Sequence, residues 1–295
     1  MTDTKSSLSA VHEVIASEMA ALDTRLLRQQ DARHKVVERR RLIQKFRQAL
    51  ALDELALYFQ PLFSLTGQAL YGVEVQLRLY HARRGMIQAG HLVERLDAPD
   101  LIVAIGHWML QAACRQAATL APRMMMVLAV PPKYLQSGAL ADHLLTSLHT
   151  TGISASQLTL LVPESALLQG NKDVEFALKV AQSLGVKLAL DQFGAGYGGV
   201  VPLKRFGFSA LRLAQEVVAK LSEGKESLAQ IEASVAVGKV VGCGVWADGI
   251  EGREHYNLLR LAGVDVGQGE FLGSTMSAQE LTRVLSSDAV YCNID

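Results

Sequence analysis

Short apolar runs alternating with longer amphipathic stretches predict an α/β fold, a TIM-like (β/α)8 barrel preceded by a long N-terminal helical extension. Three observations carry this. The chain has 295 residues, 49% of them apolar, and a single α/β barrel commonly takes about 250 residues. Eight strand candidates follow one another from about residue 55 onward, and polar residues stand at the C-terminal ends of several. Residues 1–50 contain neither proline nor glycine, so the pattern changes abruptly from helix to strand and turn.

Residues 1–50 read as one helix. Leu8, Ile15, Leu22, Val36, Ile43 and Leu50 recur at heptad spacing, with Gln29 filling the one polar step. Val11, Ala32 and Phe46 join the stripe, while Glu18, Arg25 and Arg39 interrupt its second row. Two readings stand open: a coiled-coil-like extension that pairs with a second copy or a partner, and a helix that packs back onto the barrel. Basic residues outnumber acidic ones between Arg25 and Arg47. They are not interleaved with a series of aromatic side chains able to stack on bases, so a solvated helix face is expected and nucleic acid is not.

The strand candidates are 57–63, 71–79, 124–130, 157–162, 186–191, 209–213, 241–247 and 264–268, and stretches such as 102–121 and 172–184 have helical length and period. Eight repeats of strand then helix imply a parallel barrel spanning 51–290, with its functional groups at the C-terminal ends of the strands. Asp191, Asp248 and Gln268 fall at such ends. The run Val186-Lys187-Leu188-Ala189-Leu190 delivers Asp191 onto a glycine-hinged turn, as a buried strand does at an active-site rim. Met124-Met125-Met126 opens a buried strand.

Charge and cysteine content narrow the function. Lysines and arginines number 29, as do aspartates and glutamates, so no net field draws the chain to nucleic acid or an anionic membrane. Cys114, Cys243 and Cys292 lack disulfide or zinc spacing, and His81, His91, His107 and His255 are scattered without pairing, as surface or packing residues. With no signal peptide and no apolar run of about 18 residues, a soluble cytoplasmic protein is expected.

Six fragments resemble, in order, the motifs of EAL-domain proteins, the bacterial phosphodiesterases of the second messenger cyclic di-GMP. Tyr58-Phe59-Gln60-Pro61 stands for YxQP, and Gly72-Val73-Glu74-Val75-Gln76-Leu77-Arg78 for GxEALLR. Leu160 to Ser165 stands for LEhTES, where h is apolar, and Asp191-Gln192-Phe193-Gly194-Ala195-Gly196-Tyr197 for DDFGxGYS. Ala247-Asp248-Gly249-Ile250-Glu251 resembles AEGVE, and Gln268-Gly269 the closing QG. The resemblance implies an EAL-type barrel with one strand running against the others.

It also implies a chemistry that this chain departs from. Hydrolysis in the family depends on two divalent cations, each needing several oxygen ligands. Glu74 and Asp191 match the family's ligands. Ala129 stands for its asparagine, Leu161 for its glutamate and Gln192 for its second aspartate. Arg212 replaces a lysine, Ala214 an aspartate, and Asp248 a longer glutamate. No stable metal site and no cofactor are therefore expected. Positions that contact the nucleotide in the family are kept: Arg78 to hold a phosphate, with Gln60, Glu251 and Gln268 as polar contacts. Glu74, Asp191, Arg212 and Asp248 complete the expected ligand-binding set. The glycine-rich piece 194–199 matches a family loop that couples metals to dimer arrangement, but it lacks P-loop and GxGxxG spacing. The expectation is a non-catalytic cyclic di-GMP receptor that signals to a protein partner. The alternative is a nucleotide-independent interaction adaptor.

Overall fold

The computed structural model describes residues 36–120, 124–168, 170–195, 200–222 and 224–286. Ten strands form one sheet: β1 (Leu55–Ser64), β2 (Leu70–His81), β3 (Gly85–Gln88), β4 (Met125–Ala129), β5 (Leu158–Pro163), β6 (Lys187–Phe193), β7 (Ala210–Leu213), β8 (Gly244–Ala247), β9 (Val266–Gly267) and β10 (Met276–Ser277). Eight of these close on themselves in the order β1, β2, β4, β5, β6, β7, β8, β9 and back to β1. β3 and β10 are additions at its margins.

The strands from β4 to β8 pair in parallel, whereas β1 is antiparallel to both β2 and β9. This is the one reversed strand that the family resemblance implies, and the β1–β2 hairpin replaces one of the eight strand-then-helix repeats. β1 and β2 are joined by a short turn, with Gln60 opposite Glu74 across the hairpin, and a connection that short joins only antiparallel strands. Gly72 is required on β2, because a Cβ there would lie 2.7 Å from the Met125 carbonyl oxygen of β4.

Burial on both faces explains why the central strands read as continuous apolar runs. All six residues of β5 are buried. Leu62, Met125, Val127, Leu161, Ala189, Ala210, Trp246 and Val266 form a cluster of their own. The alternate residues of the same strands pack outward against the helices. Helix Pro99–Thr119 overlaps the expected 102–121, and helix Lys172–Ser183 the expected 172–184. The latter begins at Asn171, whose side chain accepts the Asp173 amide at 2.7 Å, an N-cap that satisfies one orphan donor.

Residues 36–51 are helical, and Phe46 and Ala49 of this helix are fully buried in the main core, with Leu42, Ile43 and Leu50 packed against it. Val36 is exposed. Leu8, Ile15 and Leu22 lie outside the described residues, as do Cys292 and Gly196 to Gly199. Met124, Met125 and Met126 are core residues, as expected.

One histidine departs from its reading as unpaired. His107 stacks on His143 with ring centroids 3.7 Å apart, joining helix Pro99–Thr119 to helix Leu140–Thr151. The fully buried Tyr134 hydroxyl meets His143 Nδ1 at 2.8 Å. Burial lowers the pKa of both imidazoles, and the neighbouring His107 lowers that of His143 further. Among the described residues no helix is long and apolar enough to cross a membrane.

Candidate functional site

Four strands deliver their polar residues to one end of the barrel. Glu74 lies on β2, Asp191 on β6, Arg212 on β7, and Asp248 directly follows β8. Asp191, Arg212 and Asp248 come at or near the C-terminal ends of their strands, whereas Glu74 lies within the long β2, which continues to His81. The guanidinium of Arg212 sits between the two acids. Its Nε and NH2 donate to the two Asp191 carboxylate oxygens at 2.7 and 2.9 Å, and its NH1 donates to Glu74 Oε2 at 2.9 Å. All three side chains are only about a tenth exposed, at 10% or 11%. The bidentate fork on Asp191 is the strong geometry for this pair.

The two carboxylates are not equivalent. Asp191 also accepts the Gln192 amide at 2.8 Å, whereas Glu74 has one bond from Arg212. Burial pushes the Glu74 carboxyl above the ordinary carboxylate range against the pull of Arg212, and Asp248 and Asp191 add to the rise. Burial works against the Arg212 charge, but Glu74 and Asp191 outweigh it and hold the guanidinium firmly protonated.

These four residues line a cleft of about 310 Å³. Gln76 and Gln88 contribute to one wall, Gln192 and Gln215 to the other, and Ala129 and Leu161 also line it. Glu94 at the margin has its pKa raised by burial and by Asp191. The titratable lining is Glu74, Glu94, Asp191 and Asp248 against Arg212 and His91, an acidic balance. Among the described residues no group of three or more His, Cys, Asp or Glu side chains is placed to hold a metal ion.

The remaining expected residues divide. Gln60 and Gln268 are buried and lie outside the lining. They reach the cleft through Gln76, whose Nε2 donates to Gln60 Oε1 at 2.7 Å while Gln268 Nε2 donates to the same oxygen at 3.1 Å. Gln268 Oε1 is buried without a hydrogen-bond partner. Arg78 is half-buried on β2, over the Tyr58 ring at 5.5 Å, and donates to Gln76 Oε1 at 3.3 Å. Glu251 is exposed in the loop after β8 and does not line the cleft.

Gln76 is thus the junction between Arg78, Gln60 and the cleft, a role the sequence reading missed. The signal was present, since an uncharged polar residue stands at the third position of the EAL triplet. Gln192 adopts φ 61°, a left-handed conformation unusual for a residue with a Cβ. It sits where the β6–β7 register shifts.

Comparison with known proteins agrees with the geometry. The family model for the EAL domain matches residues 43–275. The chain is 30% identical to the uncharacterized protein y4lL of Sinorhizobium fredii over 84% of its own length and 30% of that protein. It is 30% identical to the bifunctional diguanylate cyclase/cyclic di-GMP phosphodiesterase MucR of Pseudomonas aeruginosa, over 83% of this chain and 36% of MucR. It therefore spans about a third of the length of these relatives. The solved MucR phosphodiesterase in complex with c-di-GMP superposes with a TM-score of 0.77 and 28% identity, covering 82% of this chain and 99% of that structure.

Proposed function

The chain belongs to the EAL-domain family, and on that premise we propose that it is a non-catalytic member that binds cyclic di-GMP and passes its occupancy to a protein partner. One observation carries the loss of catalysis: Arg212 is seated between Glu74 and Asp191. A divalent cation of the magnesium type needs several oxygen ligands around it. Here the carboxylate oxygens of Asp191 and one of Glu74 are engaged by a resident cation. Leu161, at the position of a family ligand, is fully buried hydrocarbon, and Ala129 offers no side-chain oxygen. The residues present do not fit a pair of divalent cations.

Binding makes smaller demands: donors for phosphate, polar groups for the base edges and a shaped cleft. Arg78, Gln76 and Gln88 provide the first two on adjoining strands, Arg78 pairing with Gln88 across β2 and β3. The complex of MucR with c-di-GMP, at 28% identity, supports the same ligand here.

The acidic balance of the cleft favours a second reading, the nucleotide-independent adaptor, because unneutralised carboxylates repel a dianion. Calorimetry of the purified chain with cyclic di-GMP, with and without magnesium, separates the two. The receptor gives saturable heat in both buffers and no linear dinucleotide by chromatography. Metal-dependent turnover that Glu74→Ala abolishes overturns the loss of catalysis, and no heat at millimolar nucleotide leaves the adaptor.

A further inference from the structure

A second cleft, of about 650 Å³, opens between the helix at 36–51 and the β2–β3 hairpin, and its charge is opposite in sign to that of the first. Arg39, Arg41 and Lys45 reach it from the helix, His81 and Arg84 from the hairpin, and Arg95 from the turn after helix Gly90–Glu94. The acid in this lining is Glu38. Lys45 is paired with Glu54 at 2.6 Å and Arg39 with Asp97 at 3.6 Å. Arg41, Arg84 and Arg95 have no ion pair among the described residues. A chain of zero formal net charge therefore concentrates uncompensated guanidinium groups, from three separate segments, in one concavity.

We propose that this basic cleft docks an acidic segment of a protein partner. Charge complementarity requires an anionic occupant. The four arginines are exposed and none of the lining cations is buried, which suits carboxylates spaced along a peptide better than one compact polyphosphate. His81 is the one ring in the lining, so the stacking platform that a nucleic-acid strand would use is missing. Arginine is also the charged residue enriched at protein interfaces.

The position gives the contact a consequence. The segment from Gln88 to Arg95 supplies Gln88, His91 and Glu94 to the acidic cleft and Arg95 to the basic one. A partner seated on Arg95 touches the wall of the candidate nucleotide site from behind. The proposal rests only on the partner-signalling half of the function proposed above, and its test uses no nucleotide, so the two fail separately.

The probe is a fluorescein-labelled peptide of Glu-Glu-Leu repeats, titrated by anisotropy against the full chain at low and high salt. The wild type binds it, and binding weakens as salt rises. The triple variant Arg41→Glu, Arg84→Glu, Arg95→Glu binds at least about tenfold more weakly, as expected for loss of complementary interface charges. A control with the same charge change on exposed helix positions, Arg115→Glu, Lys179→Glu, Arg260→Glu, keeps wild-type affinity. Equal losses in the two triples, no binding by the wild type, or single-stranded DNA bound as tightly as the peptide overturns the proposal. If the glutamate triple lacks the native circular dichroism spectrum, the alanine triple at Arg41, Arg84 and Arg95 replaces it, and undiminished affinity there overturns the proposal equally.

Discussion

Arg212 holds together two buried acids that lie far apart in sequence, Glu74 on β2 and Asp191 on β6. Removing one member of such a cluster leaves uncompensated charge in a place water hardly reaches. Arg212→Met should cost about 3–5 kcal/mol in urea unfolding at neutral pH. The sign of its pH dependence follows from Glu74. Its folded pKa is already raised by burial, so the folded state holds the proton more tightly and stability falls as pH rises above the ordinary carboxyl value of 4.5. Losing Arg212 removes an influence that lowers this pKa, so the fall becomes steeper and the variant recovers toward acid. A variant with wild-type stability at neutral pH would show that the cluster is not a closed ion network. Arg78 is a different case, half-buried and bound to one amide. Arg78→Ala should weaken cyclic di-GMP binding by about 1.5–3 kcal/mol, the scale of a hydrogen bond to a charged group, while thermal unfolding stays close to wild type. Unchanged calorimetric affinity would remove Arg78 from the ligand set. Asp191 and Asp248 were legible because acids at the ends of apolar strands converge in a barrel, and Glu74, inside β2, through its match to the family motif. The Arg212 bridge was not, since no spacing in the chain reports which rotamer crosses the barrel axis.

At the scale of elements, the helix at 36–51 and the His107–His143 seam show what periodicity conveys and what it omits. The heptad reading identified Ile43 and Leu50 as a buried face, but the deepest anchor is Phe46, at 0% exposure, which that reading placed only beside the main stripe. Phe46→Ala should cost about 3–5 kcal/mol, the range for truncating a fully buried phenylalanine. A loss below about 1 kcal/mol by chemical denaturation would mean that this helix contributes little to the barrel's stability. The histidine seam was invisible because stacking depends on how two helices meet, and residues 107 and 143 share no local pattern. Its consequence is an acid-labile joint. Burial lowers both imidazole pKa values below the ordinary value of 6.5, so the unfolded chain takes up protons first and stability declines as pH falls through that value. Unfolding midpoints should drop between neutrality and mildly acidic pH, and the double variant His107→Phe, His143→Phe should flatten that slope. An unaltered slope would place the acid sensitivity elsewhere. The β1–β2 hairpin was legible through the family resemblance and not through periodicity. Its strands carry the right composition, but direction is set by the short connection, and β3 and β10 are too brief for periodicity to register.

For the whole molecule, the open quantity is how many copies associate, and the sequence bears on it directly. Leu8, Ile15 and Leu22 continue the spacing that at Ile43 and Leu50 packs against the core. A helix gains most of its stability by burying such a stripe. As one helix, the first 35 residues would extend about 50 Å at 1.5 Å per residue, farther than the flank of one barrel conveniently covers. The stripe is therefore expected to meet a second copy of itself or a partner. Sedimentation of the full chain should give a species larger than a monomer, and a chain beginning near Arg41, which keeps the Phe46 anchor, should be monomeric. Limited proteolysis reads the alternative. A monomer in both cases, with the first 35 residues protected in the full chain, would mean that they fold back onto their own barrel, and the basic cleft beside Arg39 and Arg41 would then be the first surface to search for their contact.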